Sequence, residues 1–158
     1  MYLRIICVGK LKEQWLLEAQ NYYVSRISSF ARIEVIELPD ESAPKRPSGG
    51  QIQILLEKEG NRILRAAQGF DIVSVMTPEG REYSSESFAS FLGQAEDFGK
   101  SLCLIIGGSW GVDEQIKKQA HVQIRMSKMT FPHRLARIVL LEQIFRGFKI
   151  LRGQEYHK

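Results

Sequence analysis

The chain has little cysteine, little histidine and no long apolar run. Without about 18 consecutive apolar residues, nothing here reads as a membrane-spanning helix. The first residues, Met1-Tyr-Leu-Arg-Ile-Ile-Cys-Val-Gly9, are apolar for too short a stretch to be a signal peptide and read as a strand. Cys7 and Cys103 each fall in an apolar, β-branched run. That placement argues against a disulfide framework and for a reducing compartment, the cytoplasm by default. Neither cysteine has the polar setting of a reactive thiol. His121, His133 and His157 lie too far apart for a zinc or two-metal pattern, so no metal is implied. There is no Gly-x-Ser-x-Gly elbow and no Walker A lysine followed by Ser or Thr.

What is present is an ordinary folding composition. Apolar residues make up 44% of 158 and charged residues 25%, enough for one core without staples. No linker, repeat or low-complexity segment divides the chain, so residues 1–158 are expected to form one domain. Charge is unevenly placed. Residues 117–158 carry ten Lys/Arg against Glu142 and Glu155, whereas residues 1–116 carry twelve against sixteen acidic residues. Such segregation suits a polyanionic partner at a C-terminal face, or it serves only to solubilise that face.

Periodicity predicts strands at 2–8, 32–38, 72–76, 102–106 and 122–126, the fourth being the most apolar and therefore central. Helices are predicted near 11–29, from the spacing of Leu11, Trp15, Leu16, Ala19, Tyr22, Tyr23, Arg26 and Ile27, and near 51–67, 85–98, 113–119 and 134–151, with Ser84 or Ser85 capping the third and Gly60 weakening the second. Pro39–Gly50 reads as a surface loop and Pro78-Glu-Gly80 as a turn. Strands alternating with helices imply an α/β fold: a mostly parallel sheet with helices on both faces. The last helix is apolar nearly all round, from Leu135 through Ile138, Leu141, Ile144 and Phe148 to Leu151. Burial on two sides is therefore expected, the second against a partner subunit in a homodimer.

In such sheets ligands bind beyond the carboxyl ends of strands. Three ends have the right character: Met76-Thr-Pro-Glu-Gly80, Leu104-Ile-Ile-Gly-Gly-Ser-Trp-Gly111 and Met126-Ser-Lys-Met-Thr-Phe-Pro-His133. The glycines at 107, 108 and 111 either let backbone approach a ligand or simply make a tight turn. They miss the dinucleotide fingerprint in spacing, in position and in the acidic residue expected about 20 positions on. Met126, Met129 and Phe131 could sandwich a flat ring among Ser127, Lys128, Thr130 and His133, or be plain core residues.

Together, Leu104-Ile-Ile-Gly-Gly-Ser-x-Gly111, Ser127-Lys-Met-Thr-Phe-Pro-His133, Arg137-x-x-Leu140-x-Glu142-Gln143-x-x-Arg146 and Gly153-x-x-Tyr156-His157 resemble the ribosomal RNA large subunit methyltransferase H family. That family belongs to the SPOUT superfamily of knotted methyltransferases. Val8-Gly-Lys-Leu-Lys12 and Leu38-Pro-Asp-Glu41 fit it too, so the resemblance spans the chain. It implies a C-terminal trefoil knot, against the usual rule that chains do not thread loops. It also implies a homodimer and S-adenosylmethionine as methyl donor, held by Met76, Gly107, Met126, Ser127, Lys128, Met129, Thr130 and Phe131. The implied substrate is a pseudouridine of large-subunit rRNA, methylated at N3 within an assembled ribosome.

An imide N3–H is a poor nucleophile until its proton leaves, so a base or a cation that stabilises the anion is needed. The basic tail offers Arg146, Tyr156 and His157: Arg146 to stabilise the anion or grip a phosphate, Tyr156 or His157 to handle the proton or stack on the base. Arg137, Lys149 and Arg152 would hold the RNA backbone, and His133 would shape the loop beside the cofactor. Two other readings remain: a ribosome-associated binding module without catalysis, and a nucleotide-dependent oxidoreductase using Gly107–Gly111.

Overall fold

A computed structural model of the chain describes residues 1–156 and places five strands in one wholly parallel sheet. In chain order the elements are β1 (Tyr2–Val8), α1 (Gln14–Ile27), β2 (Arg32–Leu38), α2 (Gly49–Ala66), β3 (Ile72–Glu82), α3 (Ser85–Asp97), β4 (Leu102–Ile106), α4 (Glu114–Gln119), β5 (Val122–Arg125) and α5 (His133–Leu151). The sheet order is β2-β1-β4-β3-β5, so the most apolar strand is central, and each of its five residues is buried. That is the burial a parallel strand needs when both faces are covered.

Alternate residues of β1 and β4 feed two cores. Leu3, Ile5, Cys7, Leu102, Leu104 and Ile106 face α1, α3 and α5. Ile6, Val8, Cys103 and Ile105 face α2 and α4. Both cysteines are thus strand core, and burial pushes each thiol up to about 12, which leaves them unreactive. The caps fall where small polar residues stand: Ser48 and Gln51 form a capping box on α2, Ser84 caps α3 and Asp113 caps α4. Gly60, a weak point by propensity, lets α2 lie against α4; a Cβ there would sit 3.1 Å from Cβ of Asp113.

Two expectations change. The residues at 78–80 do not end β3. The strand pairs with β5 through Met76, loops out, and rejoins the ladder at Arg81, both residues opposite Ile124. Gly80 makes this possible, because a Cβ on it would lie 2.6 Å from backbone atoms of Ile124. In α1, Leu16 and Ile27 are buried, but Trp15 and Tyr22 point to solvent at 60% and 52% exposure. The last helix, α5, is seated between α1 and α3 with Tyr23, Phe30, Phe88 and Leu92 against it, while Leu135, Ile138 and Val139 stay partly exposed and Ile150 is exposed.

Candidate functional site

All five strands point the same way, so the loops after β3, β4 and β5 leave one edge of the sheet. There they enclose a cleft of about 970 Å³. Its walls include all eight residues expected to hold a cofactor: Met76, Gly107, Met126, Ser127, Lys128, Met129, Thr130 and Phe131.

The β3 wall is the four-residue excursion from the ladder. Thr77 is buried and its hydroxyl donates to the Glu79 carboxylate. That bond, then one from the Glu79 backbone N–H and after it Lys117, holds the Glu79 carboxyl below its ordinary range. Lys117 bridges Glu79 at 3.5 Å and Glu114 at 2.8 Å, tying this wall to α4.

The β4 wall is a hairpin-like turn in which the Gly111 N–H donates to the Gly108 carbonyl at 3.1 Å. Gly111 has φ 86°, the left-handed region glycine favours. At Gly107 the demand is steric: a Cβ would lie 2.3 Å from the Gly111 carbonyl oxygen and 2.6 Å from Cγ1 of Val112. The glycines are therefore required by the turn itself, and the turn leaves bare backbone facing the cleft.

The β5 wall is set by its own short-range bonds. Arg125 Nε donates to the Ser127 carbonyl at 3.1 Å, and the Ser127 hydroxyl accepts the Met129 N–H at 3.0 Å. Met129 is 73% exposed and Trp110, in the β4 turn, 45%. Pro132 then starts α5, and His133 and Ala136 complete the lining. Burial, then Arg134 and Arg137, lowers the His133 pKa, so its imidazole is neutral near pH 7. Apolar Met76, Ile106, Val112, Met126 and Phe131 alternate here with exposed backbone and hydroxyls. This suits a flat, uncharged ring with a polar edge. Lys117 and Arg125 also line the cleft; in the sequence they were only two of ten basic residues.

The proposed catalytic side chains lie elsewhere. Arg146 comes ten residues after Ala136 on α5, about 15 Å along the axis. It is paired with Glu142 at 2.5 Å and stacks on Tyr156, whose ring meets Phe145 edge-on at 5.0 Å. Burial, then Glu142 and Tyr23, raises the Tyr156 pKa well above the usual phenol value, so the phenol stays protonated. It can donate a hydrogen bond but is no base at neutral pH. His157 lies outside the described residues.

Arg137 corrects the sequence reading outright. It is 1% exposed and cannot hold RNA. Its guanidinium donates to Glu37 at 2.5 Å, to the Gly9 carbonyl at 2.8 Å and to Gln20 at 3.3 Å. Most of the tail's cations are similarly engaged: Arg134 with Glu13, Arg152 with Glu96, Arg125 with Glu82. The excess of positive charge at the C-terminus is largely matched by the acidic excess upstream.

Among the described residues, no helix is long and apolar enough to cross a membrane, and no His/Cys/Asp/Glu group could hold a metal ion.

Solved structures share the fold at low identity. A methylase-family protein from Haemophilus influenzae superposes with a TM-score of 0.58 at 10% identity, over 99% of this chain and 70% of that one. A Legionella pneumophila methyltransferase, solved with its cofactor SAM bound, gives 0.50 at 10% identity, over 91% and 65%. Relatives named "Ribosomal RNA large subunit methyltransferase H" are far nearer in sequence. The Bacillus cytotoxicus protein is 46% identical and the Enterococcus faecalis protein 42%, each over the whole of both chains. The family model described as "Predicted SPOUT methyltransferase" matches residues 1–157, and the chain belongs to that family.

Proposed function

We propose that the chain binds S-adenosylmethionine in the cleft and methylates N3 of a pseudouridine in large-subunit rRNA, on the assembled ribosome and as a homodimer. One observation carries the reading: three separate strand ends, and every residue the family resemblance assigned to the cofactor, meet in a single cleft. The methyltransferase family and the rRNA methyltransferase names of the full-length relatives support the same class of activity.

The residues present fit the donor. Gly107 carries no side chain where one would fill the turn, so backbone N–H and C=O groups can meet an adenine edge. Met76, Met126 and Phe131 offer apolar surface to its ring, and Thr130 and Ser127 are placed for polar contacts at the rim. When bound, S-adenosylmethionine supplies an electrophilic methyl on a cationic sulfur and so needs no metal. The chain's task is to hold acceptor nitrogen and methyl in line at about 3–3.5 Å and to exclude water. Met129 and Trp110, both exposed on the lining of the cleft, offer apolar surface to the base.

Distance supports a homodimer. Arg146 lies about 15 Å along α5 from Ala136 of the cleft, and Tyr156, beyond the end of the helix, packs on Arg146, so the reading assigns them, with His157, to a partner's cleft. Trp15 and Tyr22, seven residues apart on one face of α1, and Ile150 on α5 are the uncovered apolar surface such an interface would use. In this arrangement Arg146 stabilises the developing N3 anion, Tyr156 donates a hydrogen bond to the base, and His157 is left as the group that takes the proton. A trefoil knot and a single domain over 1–158 belong to the same reading.

Calorimetric titration with S-adenosylhomocysteine, followed by methyl transfer to 70S ribosomes and nucleoside mass mapping, tests the proposal. Tight binding and one methylated pseudouridine are expected. Absence of heat would favour a binding module without catalysis.

A further inference from the structure

With the tail's arginines engaged by carboxylates, the phosphate-gripping cations must be sought elsewhere. Among the described residues Lys10, Lys12 and Lys128 make no ion pair. All three are exposed, and all three lie on loops at the carboxyl edge of the sheet. Lys128 lines the cleft itself. Lys10 and Lys12 belong to the loop between β1 and α1, and that loop is docked against the start of α5. A Cβ on Gly9 would lie 3.5 Å from Nε2 of His133, a cleft residue, and Glu13 pairs with Arg134 at 2.8 Å.

The loop is also clamped from beneath. Arg137 donates to the Gly9 carbonyl at 2.8 Å, and Glu37, the partner of Arg137, accepts the Leu11 N–H at 3.1 Å. Both backbone groups flanking Lys10 are therefore fixed by one buried ion pair. Gly9 and Leu11 are buried while Lys10 and Lys12 stand out. The carboxylates nearby, Glu13 and Glu37, are already taken by Arg134 and Arg137, which leaves Asp40 beside Gly9 against three lysines.

We propose that Lys10 and Lys12, held in place by the Arg137–Glu37 clamp, form with Lys128 a lip that grips the phosphate backbone of the rRNA beside the cleft. The inference rests on the rRNA reading above and names the surface that reading lacked. A fixed loop loses little entropy when it meets a phosphate, and its lysines need not leave a carboxylate first, which favours this lip over the already paired cations of the tail. The contacts are to backbone charge, so they position the substrate without reading its sequence.

The test uses the intact chain with 70S ribosomes for kinetics and purified 23S rRNA for binding. In Lys10→Ala/Lys12→Ala, both changes being on exposed side chains, the KM for ribosomes is expected to rise about 10-fold at moderate salt. The slope of log affinity for 23S rRNA against log salt should shrink by about 1.5, the share of two phosphate contacts. Affinity for S-adenosylhomocysteine should not move. Lys100→Ala, at the opposite edge of the sheet just before β4, should leave KM and slope as they are. An unchanged KM and slope in the double variant, or an equal loss in Lys100→Ala, would overturn the lip. No methyl transfer by the unaltered protein would instead sink the rRNA reading, and the lip with it.

Discussion

On α5 the Arg146 guanidinium is paired with the Glu142 carboxylate one turn earlier, at 2.5 Å, and lies 4.6 Å from the centroid of the Tyr156 ring. Cation, carboxylate and phenol thus form one small assembly at the C-terminal end of the helix, while the cleft is at its N-terminal end. In the reading proposed above, a site made of both ends takes two chains.

Subunit complementation follows from that geometry. Arg146→Ala and Gly107→Val are each expected to reduce methyl transfer by about 100-fold or more, one by losing a cation at the developing charge and the other by blocking the cofactor turn. Coexpressed in equal amounts, they should recover about a quarter of the normal number of sites, because half the dimers are mixed and each holds one intact site. Activity no higher than that of either variant alone would show that each chain completes its own site.

A smaller change at Gly107 separates binding from transfer. In Gly107→Ala the new methyl must displace the Gly111 carbonyl, 2.3 Å away, so the turn opens and its backbone groups shift. Affinity for S-adenosylhomocysteine should fall at least about 10-fold, the cost of a misplaced hydrogen-bonding edge. Calorimetry would read this directly. An unaltered affinity would mean that the glycine serves the turn alone.

The sequence made the sheet legible because its strands are short apolar runs bounded by glycine or polar turns, and a parallel strand buried on both faces leaves that mark whatever its neighbours are. It made the cleft legible for the same reason: in a parallel sheet the exits from β3, β4 and β5 must share an edge. What it hid depends on contacts distant along the chain. Pro78-Glu-Gly80 looks like a turn, and only the backbone of Ile124 draws β3 back into the ladder. Arg137 looks like a surface cation, yet its partners Gly9, Gln20 and Glu37 are more than 90 positions away. Trp15 and Tyr22 fit a helical apolar period, but the face of α1 that meets α5 was decided by Tyr23, Val24 and Ile27. The distance from Arg146 to the cleft is a property of helix length that no local motif reports.

Arg137 should be a strong stability determinant. In Arg137→Met the side chain keeps its volume, but Glu37 loses its cation and the Gly9 carbonyl its donor. Breaking a buried pair costs about 3–5 kcal/mol, and since Glu37 is partly exposed a smaller loss, about 2–3 kcal/mol, is expected here. Urea denaturation at pH 7.5 measures it. A change under about 0.5 kcal/mol, the range of ordinary surface substitutions, would contradict the clamp.

Glu59 predicts how stability depends on pH. It is 5% exposed, accepts the Glu41 N–H at 2.8 Å, and lies behind the glycine turn, its Oε2 3.4 Å from where a Cβ of Gly108 would be. Burial raises its pKa, with Asp40 and Glu41 adding to the effect and the bond from Glu41 and the charge of Arg62 opposing it. A carboxyl whose pKa is higher folded than unfolded binds its proton more tightly in the native state. Its contribution is therefore fully present below the ordinary Glu value of about 4.3 and is lost as pH rises through the folded value. Glu59→Gln keeps an oxygen for the Glu41 N–H and removes the titration. Its melting temperature should match that of the unaltered protein near pH 4 and exceed it at pH 7.5, the gap opening through the folded pKa. Parallel curves across that interval would show that the Glu41 bond and Arg62 offset burial and leave the carboxyl unshifted.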